Sequence, residues 1–415
     1  MIAKLDGTKE FNRKLTLGQI RDYTYISRSD IVDNTGLSKA AVSSMVAELM
    51  ESGLVEETGR ESPTIGRPRI MLSLIAEARL ALGAELTDHE CRVILTDLRA
   101  VPLKFVVRPL LGADLTVNTL LTFLQECVDE ILEGVERSKI LGMGLTIPAV
   151  VDPSSGTVLL SVILPWRDVA LGKELEQRFS FPVGLFSRGS AATWGERWYG
   201  AGQEVQNLLY VRVGNGIVAG LVINGQPYLG QGFGAGELGH ITVQPDGALC
   251  RCGNRGCLAT VATTESLLNR VRHLLREHPQ NQLWQALNNH LEHLTMDDLL
   301  RALVNDNPIV HHALTEIAQW LAIALASAVN LLNLDLIIVG GPMMGAGEAL
   351  LEPLRTNLTQ RALPTHLAQI KVVASTLKED APSIGAASLV LHEAMAPAPL
   401  PLLPPGFAER IALFD

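Results

Sequence analysis

The sequence predicts a mixed α/β protein: a small winged helix-turn-helix followed by two α/β lobes with a cleft between them. Three observations carry this. Residues 29–74 hold two helical patterns joined by a glycine turn and followed by two strand patterns. From Leu80 onward strands and helices alternate in two similar halves. The chain has 415 residues, 47% of them hydrophobic, which is ample for two or three buried cores and excludes disorder as the dominant state.

The elements follow in order. Thr16 is a good N-cap residue, and Leu17, Ile20 and Tyr23 fall on one helical face behind it. Ser29 suits the start of a short helix bearing Ile31 and Val32, and Asn34-Thr35-Gly36 turns the chain. Ser38 caps a longer helix whose buried stripe is Val42, Met45, Val46 and Leu49. Gly53 ends it; Leu54-Val55-Glu56 opens one strand and Ile70–Leu74 is the next. The second helix is then the reading helix, because small polar residues at its start let the backbone approach a major groove. The candidate DNA contacts on it are Ser38, Lys39, Ala40, Ser43 and Ser44. A helix built for protein contact would more often be apolar at these positions. Between the strands, Thr64-Ile65-Gly66-Arg67-Pro68-Arg69 is slim and basic, so Arg67 and Arg69 are candidates for a minor-groove wing; the plain alternative is a solvated linker.

Beyond the head, Leu82–Leu86 and Cys91–Leu98 pattern as paired strands, Val117–Glu133 as a helix and Ile140–Ile147 as a buried strand. Leu208–Val213 and Ala219–Ile223 pair around a glycine turn, and Ile309–Leu332 is a long apolar helix feeding the strand Leu334–Val339. The most apolar stretch, Trp320–Val339, is broken by Asn330, Asn333 and Asp335, so it is expected in a core rather than inserted in a membrane. The expected domains are 1–75, 76–188 completed by about 380–395, 189–379, and a proline-rich arm over 396–415 that lies outside the packed core.

Net charge is −10, yet residues 1–75 hold ten basic and ten acidic side chains, so the whole deficit falls on the body. A neutral head on an acidic body admits a nucleic-acid partner only through the placement of its cations. The charged start, MIAKLDGTKEFNRK, has no apolar signal core. With five cysteines in all, a reducing cytoplasm is the expected location.

Three of those cysteines crowd into CRCGNRGC as Cys250, Cys252 and Cys257. Disulfides are a poor explanation, because the first two are too close to pair and an odd thiol remains. Thiolates at such spacing converge on one ion, and His240, in GELGH, is the nearest candidate for a fourth ligand; one histidine and three cysteines suit tetrahedral Zn2+ in a structural role.

The chain resembles the repressor branch of the ROK family (repressors, open reading frames and sugar kinases) over about Leu15–Met395. The resemblance rests on the helix-turn-helix with Gly-Arg-Pro, VDPSSGTV (Val151–Val158), LPWRD (Leu164–Asp168), GERWYGAG (Gly195–Gly202), GELGH (Gly236–His240), CRCGNRGCL (Cys250–Leu258) and LDLIIVGGP (Leu334–Pro342). It implies an actin-like (RNase H-like), two-lobed sugar-kinase fold behind the head, and a zinc held by His240, Cys250, Cys252 and Cys257.

Departures from the kinase pattern matter more. Where family kinases place an acidic residue, glycines, Thr and Lys around ATP, this chain has Gly83-Ala84-Glu85-Leu86-Thr87-Asp88-His89. Acidic side chains there repel phosphates, although Gly214-Asn215-Gly216 survives as a second phosphate loop. The family's Asn-Asp pair, with its catalytic base, aligns with Ser187 and Arg188, and a guanidinium cannot accept the proton. An expected sugar-binding Asn is Ile163 and an expected Glu is Ala259, while Glu237 and His240 remain. The ligand pocket is therefore assigned to Arg188, Glu237 and His240. Either Arg188 pairs with an acidic or phosphorylated sugar-like effector, or no small molecule binds and Arg188 neutralises Glu237.

The expectation is a kinase-inactive DNA-binding repressor of carbohydrate-related genes, a homodimer or tetramer on a double-stranded operator with half-sites spaced by whole helical turns. The resemblance admits a protein partner as well. An ATP-dependent sugar kinase with a fused head, and a zinc-stabilised scaffold, are the alternatives.

Overall fold

The computed structural model describes residues 2–61, 69–110, 116–288, 290–367 and 369–397, with 403, 406–407, 410–411 and 413–414 beyond them. It divides into two compact units, Met1–Ser187 with Ser383–Asp415, and Arg188–Pro382.

The first unit opens with helix α1 (Ile2–Asp22), the short strand β1 (Ile26–Ser27), α2 (Arg28–Thr35) and α3 (Lys39–Glu51), followed by the hairpin β2 (Val55–Glu61) and β3 (Arg69–Leu74). β3 is central, antiparallel to both β1 and β2. Leu17, Ile20, Ile31, Val42, Val46, Leu49 and Leu54 are fully buried and hold these elements together. Two expectations are corrected. Thr16 is no cap: residues 2–22 hold no proline and neither Gly7 nor Gly18 breaks the helix, so it propagates upstream and Thr16 is buried inside it. Ser27, not Ser29, caps α2, because Asp30 completes a reciprocal capping box with it. Gly36 takes the left-handed conformation (φ 70°) that ends α2, and Ser38 caps α3 by accepting from the Ala41 N–H, as its position suggests.

The rest of this unit is a five-stranded sheet. β4 (Leu80–Leu86), β5 (Glu90–Thr96) and β6 (Pro102–Pro109) form an antiparallel meander, extended on the β4 side by parallel β7 (Ile140–Ile147) and β11 (Val183–Ser187). Between β7 and β11 lie a three-stranded sheet of β8 (Val150–Asp152), β9 (Thr157–Leu160) and β10 (Arg167–Val169), then α5 (Leu171–Arg178). Helix α4 (Val117–Ile131) covers one face through Leu120, Leu121, Leu124 and Val128. The C-terminal helix Ala381–Met395 lies close along glycines of this sheet: a Cβ at Gly144 would stand 2.2 Å from the Ala386 carbonyl oxygen, so no side chain fits there.

The described residues beyond Met395 overturn the expected loose arm. Leu403, Phe407, Ile411 and Leu413 are buried, Phe407 at 1% exposure. Leu403 lies against Gly184 of β11, Arg410 pairs with Glu176 of α5 at 2.9 Å, and the Arg13 guanidinium of α1 sits 3.5 Å over the Phe414 ring. Prolines at 397–405 set the composition, but the apolar residues after them have somewhere to go.

The second unit repeats the strand order. β12 (Leu208–Val213), β13 (Ile217–Ile223) and β14 (Gln226–Pro227) form the meander, and β15 (Leu336–Gly340) and β16 (Lys371–Ala374) extend it in parallel. Helix α6 (Arg188–Tyr199) packs on β13, while α7 (Thr264–Glu277), α8 (Gln282–Ala286), α9 (Met296–Val304), α10 (Pro308–Leu332) and α11 (Glu348–Thr359) contribute to the largest core cluster. α10 is long and apolar enough to cross a membrane by composition, yet its stripe from Ile309 to Val329 is packed into that core. Asn333 ends it in the left-handed conformation, and β15 begins three residues later.

Candidate functional site

The cysteine cluster is built by tight turns. A single 3-10 turn, Leu238–His240, delivers His240, and bridges Thr242–Cys257 and Leu249–Arg255 fold the loop back. Cys250 N–H donates to the Asn254 carbonyl (2.7 Å) and Gly253 N–H to the Cys250 carbonyl (2.9 Å). Gly256 must be glycine: its φ is 66°, and a Cβ would lie 1.6 Å from the Gln244 carbonyl oxygen. These turns gather one donor atom each from His240, Cys250, Cys252 and Cys257 within 4.8 Å of one another. His240 Nδ1 is 3.6 Å from Cys250 Sγ, and Cys252 Sγ is 3.7 Å from Cys257 Sγ. Metal–thiolate bonds of about 2.3 Å and metal–imidazole bonds of about 2.0–2.1 Å at tetrahedral angles give edges of about 3.6 Å for S–N and about 3.8 Å for S–S. The two separations of 3.6 and 3.7 Å match such edges, and the other donor pairs lie within 4.8 Å.

The environment separates the thiols. Burial pushes Cys257 up to about 12, with its two cysteine neighbours adding to the rise. The exposed Cys252 is lowered, chiefly by the backbone N–H of Asn254. A metal ion is the partner that would let all three lose their protons. The second nitrogen of His240 faces Glu237, Nε2 to Oε2 at 3.8 Å. The Glu237 side chain is exposed, yet desolvation raises its carboxyl, with His240 acting in the opposite direction.

Arg188 opens α6, half-buried. The backbones beside Arg188 and Glu237 close on one residue of β13: a Cβ at Gly189 or at Gly236 would each lie 2.2 Å from the Ala219 carbonyl oxygen. The GERW motif has a structural reading that sequence inspection did not supply. Glu196 is fully buried and accepts from Ser375 Oγ, Thr376 Oγ1 (3.2 Å), Leu377 N–H (3.0 Å) and Ala201 N–H (2.8 Å), bracing α6 to the segment after β16. No local pattern announces the three partners at 375–377, which lie about 180 residues away.

At the β4–β5 turn Glu85 is buried, and Thr87 closes the turn by bonding to the Glu90 carbonyl through both N–H and hydroxyl. Asp88 and His89 pair at 2.8 Å on its exposed tip. The Gly214–Gly216 turn joins β12 to β13, its Gly214 carbonyl accepting from the N–H of Thr264. Ile163 and Ala259 are both half-buried.

In the head, Ser38, Lys39, Ala40, Ser43 and Ser44 are all exposed on α3, while Val42, Met45, Val46 and Leu49 are buried. Arg69 is exposed but engaged: its Nη1 lies 2.8 Å from Asp30 Oδ1, the capping carboxylate of α2. Arg67 lies outside the described residues.

Comparison with known proteins adds the family. The ROK family profile matches residues 104–393, well over half of the chain. The chain belongs to the ROK family. Among its ROK relatives, the xylose repressor of Caldicellulosiruptor bescii is 29% identical over 94% of this chain and 97% of its own length. The DNA-binding transcriptional dual regulator NagC of Escherichia coli is 28% identical over 94% of each chain. Among solved structures, a ROK family transcriptional regulator homologous to the E. coli MLC protein superposes with a TM-score of 0.79 at 24% identity, covering 94% of this chain and 97% of that one. A ROK glucokinase from Streptomyces griseus, solved with glucose and AMPPNP, gives 0.69 at 26% identity, covering 75% of this chain and 98% of its own. The ROK transcription regulators cover 94% of this chain and the kinase 75%. The fold is the actin-like sugar-kinase fold of that family.

Proposed function

We propose that this protein is a DNA-binding transcriptional regulator, a repressor of carbohydrate-related genes, whose kinase body has lost phosphoryl transfer. The observation that carries the reading is α3: a capped helix anchored by Val42, Met45, Val46 and Leu49 that leaves Ser38, Lys39, Ala40, Ser43 and Ser44 open. A short, unobstructed polar face of this kind suits a major groove, with Lys39 on a phosphate or base edge and the hydroxyls on bases. Relatives named as a xylose repressor and as a DNA-binding transcriptional dual regulator, each matching over 94% of the chain, support it. Arg67 is assigned to the wing. Arg69 joins it by exchanging Asp30 for a phosphate, an exposed pair that costs little to give up.

Loss of kinase activity rests on Arg188 at the position of the base and on the acidic β4–β5 turn. The four-donor cluster is assigned to structural Zn2+, since three thiolates and an imidazole favour that ion. Arg188, Glu237 and His240 are assigned as the pocket for an acidic or phosphorylated sugar-like effector, Arg188 supplying the paired guanidinium. Signalling then works as a population shift in a dimer or tetramer: the effector, or a protein partner, favours one spacing of the heads.

Genome-wide footprinting of the tagged protein should return a recurrent two-half-site operator. Binding to it should weaken steeply with salt, and Lys39→Ala should reduce the salt slope by about 1. Equal affinity for operator and random duplex would overturn the proposal.

A further inference from the structure

The turn between α8 and α9 reads His290-Leu291-Glu292-His293. One ligand atom each from His290, Glu292 and His293 lies within 4.8 Å of the other two, and all three side chains are exposed. His290 Nδ1 and Glu292 Oε1 are 2.8 Å apart, and the two imidazole rings meet edge to face with centroids 5.7 Å apart. The backbone beneath them is fixed. Leu291 and Leu294 are buried at 5% and 2% exposure, and the Arg272 guanidinium donates from Nε to the Leu291 carbonyl (3.0 Å) and from Nη2 to the Leu294 carbonyl (3.1 Å). The His293 N–H closes the turn on the His290 carbonyl at 3.1 Å.

We propose that His290, Glu292 and His293 form a second metal site, open to solvent, for a divalent transition ion of the zinc, nickel or copper class. Two imidazoles and one carboxylate are borderline donors that suit these ions, whereas calcium and magnesium require more oxygen ligands. A tetrahedral ion with bonds of about 2.0–2.2 Å spaces its donors about 3.3–3.5 Å apart, so rotation of exposed side chains on a pinned turn closes the set. The His290–Glu292 pair that competes with the ion is exposed, and such pairs are weak. Glu292 also borders a hollow of about 460 Å3 with Arg272, Arg276 and Trp284, which leaves room for water or an anionic fourth ligand. Among the described residues the other His/Cys/Asp/Glu cluster is the thiolate one, which has four ligands to this site's three. The new site therefore binds more weakly and yields first to a chelator.

Equilibrium dialysis of the full-length chain against zinc tests this. Wild type should take up two equivalents per chain, the second at least tenfold weaker. The double substitution His290→Ala with His293→Ala should keep the tight equivalent and lose the weak one; Cys252→Ser should do the reverse. A single equivalent under excess zinc overturns the proposal. So does a weak equivalent that survives in the double variant, since it would then belong to other surface histidines. All three substituted side chains are exposed, and circular dichroism of each variant confirms that the fold is retained.

Discussion

At the level of single residues, the chain's chemistry is concentrated where side chains are held by backbone turns rather than by packing. His240 and the three cysteines are the plainest case, since their spacing comes from Gly253, Gly256 and a few turn hydrogen bonds. Replacing the ion by cobalt should give an intense thiolate-to-metal charge-transfer band. Cys252→Ser should strongly reduce that band and loosen the loop; a band of undiminished intensity would remove Cys252 from the ligand set. The exposed histidine turn gives no such band, so the two sites stay distinguishable. This cluster of donors was legible in sequence because four donors within 18 residues can converge locally. Glu196 was not legible: its importance lies in four donors, three of them brought from residues 375–377 by the fold. Arg69 was legible only as a cation, and its pairing with Asp30 is a property of the hairpin's register.

At the level of elements, the head is tied to its neighbours by α1. Lys14 Nζ donates to the Glu393 carbonyl at 3.3 Å, Arg99 Nη1 to the Arg21 carbonyl at 3.3 Å, and Arg13 covers Phe414. The described C-terminal residues fasten the same unit through Phe407. Phe407→Ala should destabilise it by about 3–5 kcal/mol, because a fully buried aromatic leaves a cavity; a denaturant midpoint within error of wild type would contradict the packing. His392, on the helix that meets α1, is lowered to about 4, first by burial and then by Arg21 and Lys14. A histidine neutral in the fold and protonated in the unfolded chain contributes stability that is complete above a pH of about 6.5 and lost as pH falls toward 4. The loss should reach about 3 kcal/mol across that window. Urea melts of His392→Gln against wild type check it: the variant should show a flatter pH dependence through the same window.

At the level of the whole molecule, two units carry the same strand order, a three-stranded antiparallel meander extended by two parallel strands. In the proposed reading, Arg188 at the start of α6 and the acidic β4–β5 turn stand in for the catalytic base and phosphate loop of a sugar kinase. The consequence is a prediction about turnover. A coupled assay over a panel of sugars with ATP should give no phosphorylation above background, and Arg188→Asp alone should not restore it while Asp88 and Glu85 remain. Sustained wild-type turnover that Arg188→Ala abolishes would make the chain a kinase.

The helix-turn-helix, the alternation of strands and helices, and the His/Cys cluster were set by the sequence itself, because each rests on contacts a few residues apart: a cap, a turn, a periodic stripe, a run of thiols. Strand β6 was less visible, since its Leu103, Phe105 and Val107 face solvent while Val106 alone is buried, which blurs the usual alternation. Only the tertiary structure decided where Leu403, Phe407, Ile411 and Leu413 go, what Glu196 holds, and which carboxylate Arg69 meets. Those outcomes join segments from 39 to more than 200 residues apart, and a hydrogen bond or a buried ring across such a distance leaves no period in the chain.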